Sequence, residues 1–391
     1  MNVFIKNFGC TSNFAESQSL AQELNTKGFR CYSQGWGEDS APFRNQEELL
    51  FASECQAIIV NTCTISGDSE ILLQKKFAED IRKLGLSIPI IYMGCSIKND
   101  HSSLQSAVMP QNVLFCARRE ITPLLKAIES KLKTSIKIPL PMKSHPENSW
   151  VLLKRACTKF CSYCSCGYAL FRESECIPTQ EIMRQLEHLW ANGCKTAILS
   201  GPCIGDWRDP AQPSFRFSHL IKKILSETAF NIGYLELHPR DITEDLIELL
   251  RSPRISKDEL GIPIESASDA ILKRMRRGYN KRYLGTLFRQ IYSGIPSAHI
   301  STDWIIGFPQ ENKNDIIETL DFLKEFPFTR IDVYPYSKRL GTPAADMPQI
   351  SATRFKTHWE LAKGEPALEK TLHFLFDWKQ VMGNRGNGQS F

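Results

Sequence analysis

One short stretch, residues 157–164, limits what this chain can do more than any other part of its sequence. It places three cysteines at C-x3-C-x2-C spacing, directly after an apolar run at 151–153 that predicts a β-strand. A structural zinc site takes four ligands, usually as paired C-x2-C units, whereas only three cysteines share this spacing. The spacing therefore indicates a four-iron cluster that leaves one iron open to a small molecule. The alternative, that cysteines cluster here by chance, is disfavoured by the tight spacing behind a strand.

The distribution of all the cysteines also favours metal binding. The 391 residues contain 13 cysteines, and every one lies between Cys10 and Cys203. A disulfide scaffold spreads its cysteines through a short secreted chain, so their confinement to one part of a long chain indicates metal or cluster ligation. The N-terminus lacks the features of a signal peptide, and no apolar run is long enough for a transmembrane helix. We therefore expect a cytoplasmic protein with no membrane partner.

Composition predicts a globular chain of two or three domains. Hydrophobic residues make up 42% of the sequence and charged residues 23%, which is typical of folded proteins with a buried core. The formal net charge of +5 is mildly basic. This charge permits a nucleic-acid partner but does not establish one.

Residues 1–135 alternate apolar strands with helices, which predicts a parallel, flavodoxin-like or Rossmann-like α/β domain. Cys10, Cys63 and Cys95 each follow one of these strands. Because ligand sites in open parallel sheets gather at the carboxyl edge, we expect these three thiols to converge. Small cysteines also pack well in cores, which is the structural alternative. The predicted strands are 2–6, 57–60, 89–93 and 112–116, and the predicted helices are 15–26, 68–84 and 120–133.

Residues 136–149 are rich in proline and polar residues, and they predict a linker to a second domain at 150–347. Six strand–helix units there predict a partial or full (β/α) barrel, with its chemistry at the carboxyl ends of the strands. Residues 348–391 predict a short helical extension, with helices at 352–363 and 366–381. The predicted barrel strands are 151–155, 196–200, 232–237, 261–265, 300–306 and 331–336, and the predicted helices between them are 179–192, 217–227, 243–250, 269–276, 281–293 and 314–326.

Taken in order, the motifs of this chain resemble those of the radical S-adenosylmethionine (SAM) methylthiotransferases over nearly its whole length. Only the C-x3-C-x2-C stretch is fairly specific by itself, but the ordered set with the N-terminal cysteines is highly specific. Beside that stretch, the resemblance rests on 9–13 (GCTSN) with Glu16 and Ser17, 61–64 (NTCT), 94–95 (GC), 261–266 (GIPIES), 275–279 (MRRGY), 302–309 (TDWIIGFP) and 336–345 (YSKRLGTPAA).

The resemblance implies two [4Fe–4S] clusters and SAM as cofactors. One SAM would methylate a sulfur on an auxiliary cluster, and a second would be cleaved to a 5′-deoxyadenosyl radical that opens an unactivated C–H bond for the methylthio group. Acid–base chemistry cannot open such a bond, so a cofactor must supply this step, with a reducing partner such as flavodoxin or ferredoxin. The implied ligands are Cys157, Cys161 and Cys164 for the SAM-binding cluster, and Cys10, Cys63 and Cys95 for the auxiliary cluster.

The chain departs from the family close to the predicted site. Leu170 and Phe171 stand where the family usually has Arg-Gly, so contacts to the substrate are expected to differ. Glu265 stands where the family has Gln, and its carboxylate either selects a cationic or hydroxyl-bearing group or is a neutral change. The second barrel strand ends in 199–203 (LSGPC), where the family more often has Thr-Gly-Gln. Cys203 there is either a thiol near the substrate or an inert small side chain.

Three residues are predicted to contact the cofactor. Gly201 would let the backbone approach the amino group of SAM. Glu236 ends the third barrel strand near His238, and both either contact SAM or substrate or make structural hydrogen bonds. Asp303 lies within an apolar strand, where a buried carboxylate needs a partner, so we expect it to order the site. The sequence identifies no catalytic side chain.

The sequence favours a radical SAM enzyme that inserts sulfur or a methylthio group at an unactivated C–H bond. The family commonly ends in a small β-barrel module that helps to grip tRNA, and residues 348–391 do not resemble it. A peptide, protein or small molecule is therefore the expected substrate. The alternatives are methylthiolation of adenosine in tRNA, radical SAM chemistry in which the auxiliary cluster relays electrons or binds substrate without sulfur transfer, and a non-enzymatic iron–sulfur protein that binds RNA.

Overall fold

The computed structural model describes the second domain almost throughout and the first domain in part. No helix within the described residues is both long enough and apolar enough to cross a membrane. The described residues are 2–7, 11–26, 28–33, 51–52, 54–62, 77, 81, 88, 90–94, 113–115, 148–166, 168, 176–257, 260–339 and 341–374.

The first domain is built on a parallel five-stranded sheet. Its described elements are β1 (Asn2–Asn7), α1 (Thr11–Thr26), β2 (Arg30–Ser33), β3 (Ala57–Thr62), β4 (Ile90–Gly94) and β5 (Val113–Phe115). The strand order is β2-β1-β3-β4-β5, and every neighbouring pair is parallel. This is the order of flavodoxin-like doubly wound sheets, so the predicted α/β fold is confirmed.

Two details of the first domain differ from the sequence prediction. Strand β2 was not predicted, because its four residues are half polar. Helix α1 begins at Thr11 instead of residue 15. The polar start of α1 is typical of a loop in sequence, but Asn13 and Ser17 form hydrogen bonds with the ends of β3 and β1. The predicted helices at 68–84 and 120–133 lie mostly or wholly outside the described residues.

The second domain alternates strands and helices, as the sequence predicts. Its strands are β6 (Asn148–Leu152), β7 (Thr196–Ser200), β8 (Asn231–Ile232), β9 (Leu235–Glu236), β10 (Leu260–Gly261), β11 (Ile300–Ile306), β12 (Arg330–Pro335) and β13 (Leu372–Phe374). Its helices are α2 (Thr179–Ala191), α3 (Phe217–Glu227), α4 (Glu244–Leu250), α5 (Asp269–Met275), α6 (Lys281–Gly294), α7 (Lys313–Lys324) and α8 (Ala352–Lys363).

These strands form two parallel sheets that are joined by the chain itself. The sheet β6-β7-β8 is followed by the sheet β9-β10-β11-β12-β13, and only residues 233 and 234 separate β8 from β9. No pairing of β6 with β13 occurs among the described strands. One continuous core of buried side chains lies between the strands and the helices packed on them. The carboxyl ends of parallel strands therefore share one edge, where the predicted site is expected.

The end of the described chain corrects one prediction. The sequence predicts a helix over 366–381, but residues 372–374 form β13, which pairs with β12 at Ile331↔Leu372. Phe374 packs edge-on against Trp359 of α8, with ring centroids 4.9 Å apart. Pairing with β13 satisfies the backbone hydrogen-bonding groups at the edge of β12. This gain outweighs the helical preference of residues 372–374. The helix prediction is therefore wrong for 372–374, and residues after 374 lie outside the described residues.

A buried contact fixes the loop after β11 to α8. Gly307 has φ +90°, and a Cβ added to it would lie 2.6 Å from Cδ2 of Phe355. The backbone N–H of Gly307 donates a hydrogen bond to Glu311 Oε2 (2.7 Å), which also lies 3.3 Å from His358 Nδ1. Both polar side chains are almost fully buried. This position therefore requires glycine for its backbone angle and for space.

We expect Gly307→Ala to lower the free energy of unfolding of the second domain by roughly 2–4 kcal/mol, because it adds a steric clash to a strained backbone angle. Gly193→Ala is the matched control: Gly193 has φ +87° and no heavy atom within 4 Å of an added Cβ. The control should cost only about 1–2 kcal/mol. Urea denaturation followed by circular dichroism measures both values, and equal losses would show that Phe355 does not restrict this loop.

Candidate functional site

The three-cysteine loop, residues 157–164, is fixed by hydrogen bonds to two later segments of the chain. Ser162 donates from its backbone N–H to Met275 O (2.9 Å) and from its hydroxyl to Arg274 O (2.7 Å). The backbone N–H of Ala344 donates in turn to Ser162 O (2.9 Å). Met275 and Ala344 belong to motifs that the sequence analysis quoted. These motifs therefore hold the loop in place at the carboxyl edge of the sheet.

A buried arginine connects the loop to the neighbouring strands. Arg277 is 5% exposed, and its Nη1 donates to Cys161 Sγ (3.4 Å) and to the Tyr163 hydroxyl (3.2 Å). Its Nη2 donates to Pro263 O (2.6 Å), and the Tyr163 hydroxyl donates to Glu265 Oε1 (2.8 Å). A guanidinium held in this way carries positive charge directly to a loop thiol.

The thiols of the loop have different electrostatic surroundings. A hydrogen bond with Cys203 lowers the pKa of Cys157. A hydrogen bond with Cys166 lowers the pKa of Cys164 to about 6. Burial raises the pKa of Cys161, the cysteine beside the guanidinium. Because the thiolate is the form that binds metals, the surroundings of Cys157 and Cys164 favour ligation.

The donor atoms of the loop fit an iron–sulfur cluster. Cys157, Cys161 and Cys164 lie on one short loop, whose backbone is fixed to Met275 and Ala344 through Ser162. The backbone N–H of Lys159 donates to Cys157 Sγ (3.4 Å), and Arg277 donates to Cys161. Hydrogen bonds of this kind to the ligating sulfurs help to set the reduction potential of a cluster. The loop would supply three thiolates to such a cluster, which would leave one iron for another ligand.

Four carboxylates lie at the inner face, which we define as the sheet surface turned away from the helices between β9 and β12. Asp303 of β11 is in register with Asp332 of β12. Asp332 Oδ1 forms an ion pair with Arg330 Nε (2.9 Å). The backbone N–H of Glu265 donates to Asp303 O (2.8 Å), and Glu236 lies two strands from β11, in register with Gly261 of β10. Burial, together with the charges of Glu265, Glu236 and Asp332, raises the pKa of Asp303 well above its usual range. The predicted residues Glu236 and Asp303 are thus brought together.

The inner face continues directly into the three-cysteine loop. Glu265 belongs to both, since it accepts the Tyr163 hydrogen bond and lies 3.9 Å from Arg277. Glu236 accepts a hydrogen bond from the Tyr234 hydroxyl (3.1 Å); its side chain is reached by solvent, but the surrounding protein partly desolvates it and raises its pKa. A ligand between the loop and the inner face would therefore meet several carboxylates.

Gly201 and His238 have structural contacts in the described chain. Gly201 has φ +144°, and a Cβ there would lie 2.6 Å from Lys154 O, so glycine lets the ends of β6 and β7 approach. His238 Nδ1 accepts a hydrogen bond from the backbone N–H of Arg240 (3.2 Å), and burial lowers its pKa to about 2. His238 is therefore neutral, and its contact with SAM or substrate stays a prediction. Contact of Gly201 with SAM stays a prediction.

Sequence reasoning missed an ion-pair network beside the loop. Lys154 is fully buried and forms an ion pair with Asp206, whose second oxygen accepts a hydrogen bond from the Thr158 hydroxyl (2.5 Å). Lys159 forms an ion pair with Asp241. The signal was present in the sequence, because Lys154 directly follows an apolar strand and a buried lysine requires a partner. The network ties the start of the loop to the turns after β7 and β9.

The strand ends that precede the auxiliary cysteines lie side by side. Strands β1, β3 and β4 end at the same edge, with Asn7 in register with Asn61 and Thr62 with Gly94. The sequence reaches Cys63 and Cys95 one residue after two of these ends, and Cys10 three residues after the third. All three cysteines lie outside the described residues, so their convergence stays a prediction.

A buried polar network holds these strand ends together. Asn61 Nδ2 donates to Asn13 O (2.9 Å) and Ser17 Oγ (3.0 Å), and Asn13 Nδ2 donates to Thr62 O (2.6 Å). The Thr62 hydroxyl donates to Met93 O (2.6 Å), and all five residues are almost fully buried. These motif residues therefore position the strand ends.

The amino-acid sequence of this chain is similar to those of known proteins. Residues 151–323 match the sequence profile of the Radical SAM superfamily. The chain is 26% identical over 384 residues to a tRNA-2-methylthio-N(6)-dimethylallyladenosine synthase of Carboxydothermus hydrogenoformans, covering 92% of this chain and 83% of that protein. It is 27% identical over 363 residues to a protein of the same description from Thermoanaerobacter sp., covering 88% and 73%.

Solved structures share the fold at low sequence identity. The radical SAM methyltransferase TsrM of Kitasatospora setae matches with a TM-score of 0.62 at 12% identity, covering 88% of this chain and 75% of that one. The cobalamin-dependent SAM radical enzyme OxsB matches with a TM-score of 0.58 at 13% identity, covering 98% and 60%. The second domain is thus a radical SAM domain, and the chain as a whole is similar to the radical SAM methylthiotransferases, as its motifs predict.

Proposed function

We propose that this radical SAM enzyme inserts sulfur, alone or as a methylthio group, at an unactivated C–H bond of a peptide, protein or small molecule that carries a cationic or hydroxyl-bearing group. We infer this substrate class from the inner face, where Glu236, Glu265 and Asp303 lie beside the three-cysteine loop. Carboxylates gathered beside a reaction centre favour cations and hydroxyl donors, and they disfavour phosphates.

Glu265 is the residue at which this preference acts. It adopts φ +66°, a left-handed conformation that is uncommon for a residue with a side chain, and its backbone N–H donates to Asp303 O (2.8 Å). One of its carboxylate oxygens is engaged by Tyr163, and the side chain is 12% exposed. Glu265 is thus held at the junction of loop and inner face, where the substrate would meet it.

The cofactors supply the radical chemistry, since a [4Fe–4S] cluster with SAM bound generates the radical that removes hydrogen from carbon. The protein contributes position and exclusion of water. Arg277 fixes Cys161 and Tyr163, the ion pairs of Lys154 and Lys159 fix the start of the loop, and the apolar contacts of Phe308 with Tyr163 cover one side of it.

The sulfur is proposed to come from an auxiliary [4Fe–4S] cluster held by Cys10, Cys63 and Cys95. The polar network around Asn61 supports this, because it fixes three adjacent strand ends at the edge of the sheet where ligands bind in open α/β folds. A reducing partner such as flavodoxin or ferredoxin would deliver the electron that SAM cleavage consumes.

A second candidate is methylthiolation of an adenosine in tRNA. Its support is the description of the curated relatives as tRNA-2-methylthio-N(6)-dimethylallyladenosine synthases. The net charge of +5 is compatible with RNA binding. The two candidates share every cofactor and differ in what occupies the inner face.

The two cysteine triads are predicted to have separable roles. After anaerobic reconstitution we expect about eight irons in the wild type and about four in Cys10→Ala. With dithionite and SAM, Cys10→Ala should still release 5′-deoxyadenosine but transfer no sulfur, whereas Cys161→Ala should release none. Cys194→Ala, a buried cysteine outside both triads, is the control and should match the wild type. Four irons in the wild type would contradict the auxiliary cluster.

Glu265→Gln separates the two substrate candidates. The Tyr163 hydrogen bond survives this change, but one negative charge is lost. With lysine- or arginine-containing peptides we expect roughly tenfold weaker binding, since a charged hydrogen bond contributes about 1.5–3 kcal/mol. Methylthiolation of tRNA should be unchanged or faster. Mass spectrometry of peptide and tRNA products measures both, and faster tRNA modification without any peptide product would favour the second candidate.

Asp303→Asn should stabilise the protein increasingly as pH rises. Because the pKa of Asp303 is raised in the folded state, ionisation of the unfolded chain above about pH 4 lowers the free energy of unfolding of the wild type. The asparagine variant lacks this loss, so its advantage in thermal unfolding should grow as the pH rises above about 4. Asp321→Asn, on the exposed side of α7, is the control and should change stability by less than about 0.5 kcal/mol. An advantage that does not vary with pH would contradict the raised pKa.

A further inference from the structure

An exposed aromatic pair lies at the three-cysteine loop, next to an arginine. Phe160, directly before Cys161, is 38% exposed, and its ring packs edge-on against that of Tyr168 with centroids 5.8 Å apart. The Tyr168 hydroxyl donates to Phe160 O (2.7 Å) and accepts a hydrogen bond from Arg276 Nη1 (3.0 Å). The backbone N–H of Arg276 donates to the carbonyl of Lys273, which is also exposed (3.1 Å). We define the loop patch as Phe160, Tyr168, Lys273 and Arg276.

The backbone turns two members of the loop patch toward solvent. Phe160 has φ +51° and Arg276 has φ +59°, left-handed conformations that are uncommon for residues with side chains. Such conformations persist only where the surrounding structure fixes them. Their next neighbours in the chain, Cys161 and Arg277, are buried and joined by a hydrogen bond from Nη1 to Sγ (3.4 Å). The buried pair therefore anchors the exposed pair directly beside the loop thiol.

Positive charge dominates the segment that carries most of the loop patch. No aspartate or glutamate occurs between Asp269 and Asp303, whereas lysine or arginine occurs seven times. The carboxylates nearest in the structure are already engaged, because Asp241 forms an ion pair with Lys159 and Asp269 Oδ1 accepts a hydrogen bond from the backbone N–H of Lys281 (2.6 Å). A partner with a negatively charged surface would therefore be attracted to this side of the domain.

A second exposed aromatic extends the surface beyond the loop patch. Tyr283 is 39% exposed, and its hydroxyl donates to Pro239 O (3.2 Å). Arg240 is exposed, and its Nη1 would lie 2.6 Å from a Cβ added to Gly278, so its guanidinium rests on the turn that follows Arg276. Tyrosine and arginine side chains are enriched in protein interfaces and among their strongest contacts. The composition of this surface is therefore typical of a protein-binding site.

The position of the loop patch favours a partner that delivers electrons to the cluster. Phe160 is one residue from Cys161, and Arg276 is one residue from the arginine that donates to the sulfur of Cys161. A protein bound here would lie next to the proposed cluster. SAM cleavage consumes one electron, so the enzyme needs a donor that binds briefly and then leaves. Such encounters use small interfaces, and opposite charges guide the two proteins together.

RNA is another anion that binds basic surfaces with exposed aromatic rings. An RNA substrate would also have to enter the inner face, where the carboxylates of Glu236 and Glu265 disfavour phosphates under the proposed function. An electron donor needs to reach only the three-cysteine loop. The anionic partner that fits the loop patch best is therefore a protein.

We propose that the loop patch is the docking site of a small acidic protein that carries single electrons, such as flavodoxin. The carrier loses one electron, the cluster of the three-cysteine loop gains it, and no atom or proton passes between the two proteins. The inference rests on the part of the proposed function that assigns a SAM-binding cluster to Cys157, Cys161 and Cys164. It requires neither the auxiliary cluster nor sulfur transfer, so either proposal can fail alone.

The test compares a protein donor with a small uncharged one. The full chain with Cys10, Cys63 and Cys95 replaced by alanine would carry only the cluster of the loop after anaerobic reconstitution. Freeze-quench electron paramagnetic resonance follows its reduction, with SAM present, by flavodoxin hydroquinone or by photoreduced deazariboflavin. The flavodoxin rate should fall several-fold as NaCl rises from about 0.05 M to about 0.5 M, because salt screens the attraction. A flavodoxin rate that does not depend on salt would overturn the proposal.

Reversing one charge of the loop patch should affect the protein donor alone. Arg276→Glu should lower the flavodoxin rate roughly tenfold without changing the deazariboflavin rate, and Arg276→Lys should restore most of the loss. Lys222→Glu, an exposed position on α3 outside the patch, is the matched control and should behave like the parent chain. Equal flavodoxin rates for Arg276→Glu and Lys222→Glu would contradict docking at the patch. Lys273→Glu takes the place of Arg276→Glu in this comparison if the latter takes up no iron.

Binding gives a second readout that involves no electron transfer. In calorimetric titrations of the reconstituted chain with oxidised flavodoxin at low salt, Arg276→Glu should raise Kd roughly tenfold. Phe160→Ala should raise Kd several-fold without changing its dependence on salt, because it removes an apolar contact and no charge. A parallel titration with tRNA tests the RNA alternative. Weaker tRNA binding by Arg276→Glu with unchanged flavodoxin binding would overturn the proposal and assign the loop patch to RNA.

Discussion

The guanidinium of Arg277 is the contact on which the candidate site depends. It is buried at the carboxyl edge of the second domain and donates to Cys161, Tyr163 and the backbone of Pro263. A buried charge is tolerated only when its hydrogen bonds are satisfied, so these partners must all be in place together. One side chain therefore fixes three parts of the chain: the three-cysteine loop, the segment of Pro263 and Glu265, and the end of α5. Misplacing any of them would leave the charge of Arg277 without a partner.

The fold was predictable where chain periodicity is strong. Strands β7 and β11 and helices α3 and α8 have the bounds that the sequence predicts. Prediction failed where tertiary contacts override local preference. Residues 372–374 form a strand because β12 offers a free edge, and α1 begins early because its polar residues bond to strand ends rather than to water.

The residues of the candidate site were predictable from the sequence, but their electrostatics were not, and their role as cluster ligands stays a prediction. Spacing identified Cys157, Cys161 and Cys164, and a carboxylate within an apolar strand identified Asp303. No local pattern relates Cys203 to Asp241, since they follow different strands and meet only in the folded chain. The ion pair of Lys154 with Asp206 is non-local for the same reason. Such contacts depend on register, which a single sequence does not specify for distant strands.

Opposite charges meet beside the three-cysteine loop. Arg277 places positive charge against Cys161 and lies 3.9 Å from Glu265, while burial and neighbouring carboxylates raise the pKa of Asp303, so that it favours the neutral form. A thiolate-bound cluster carries net negative charge, so the arginine stabilises the cluster side of this boundary. SAM is a sulfonium cation, so ionised carboxylates beside the loop would favour its binding. The proposed preference for a cationic or hydroxyl-bearing substrate depends on the same side chains, so binding of SAM and choice of substrate would be linked through them.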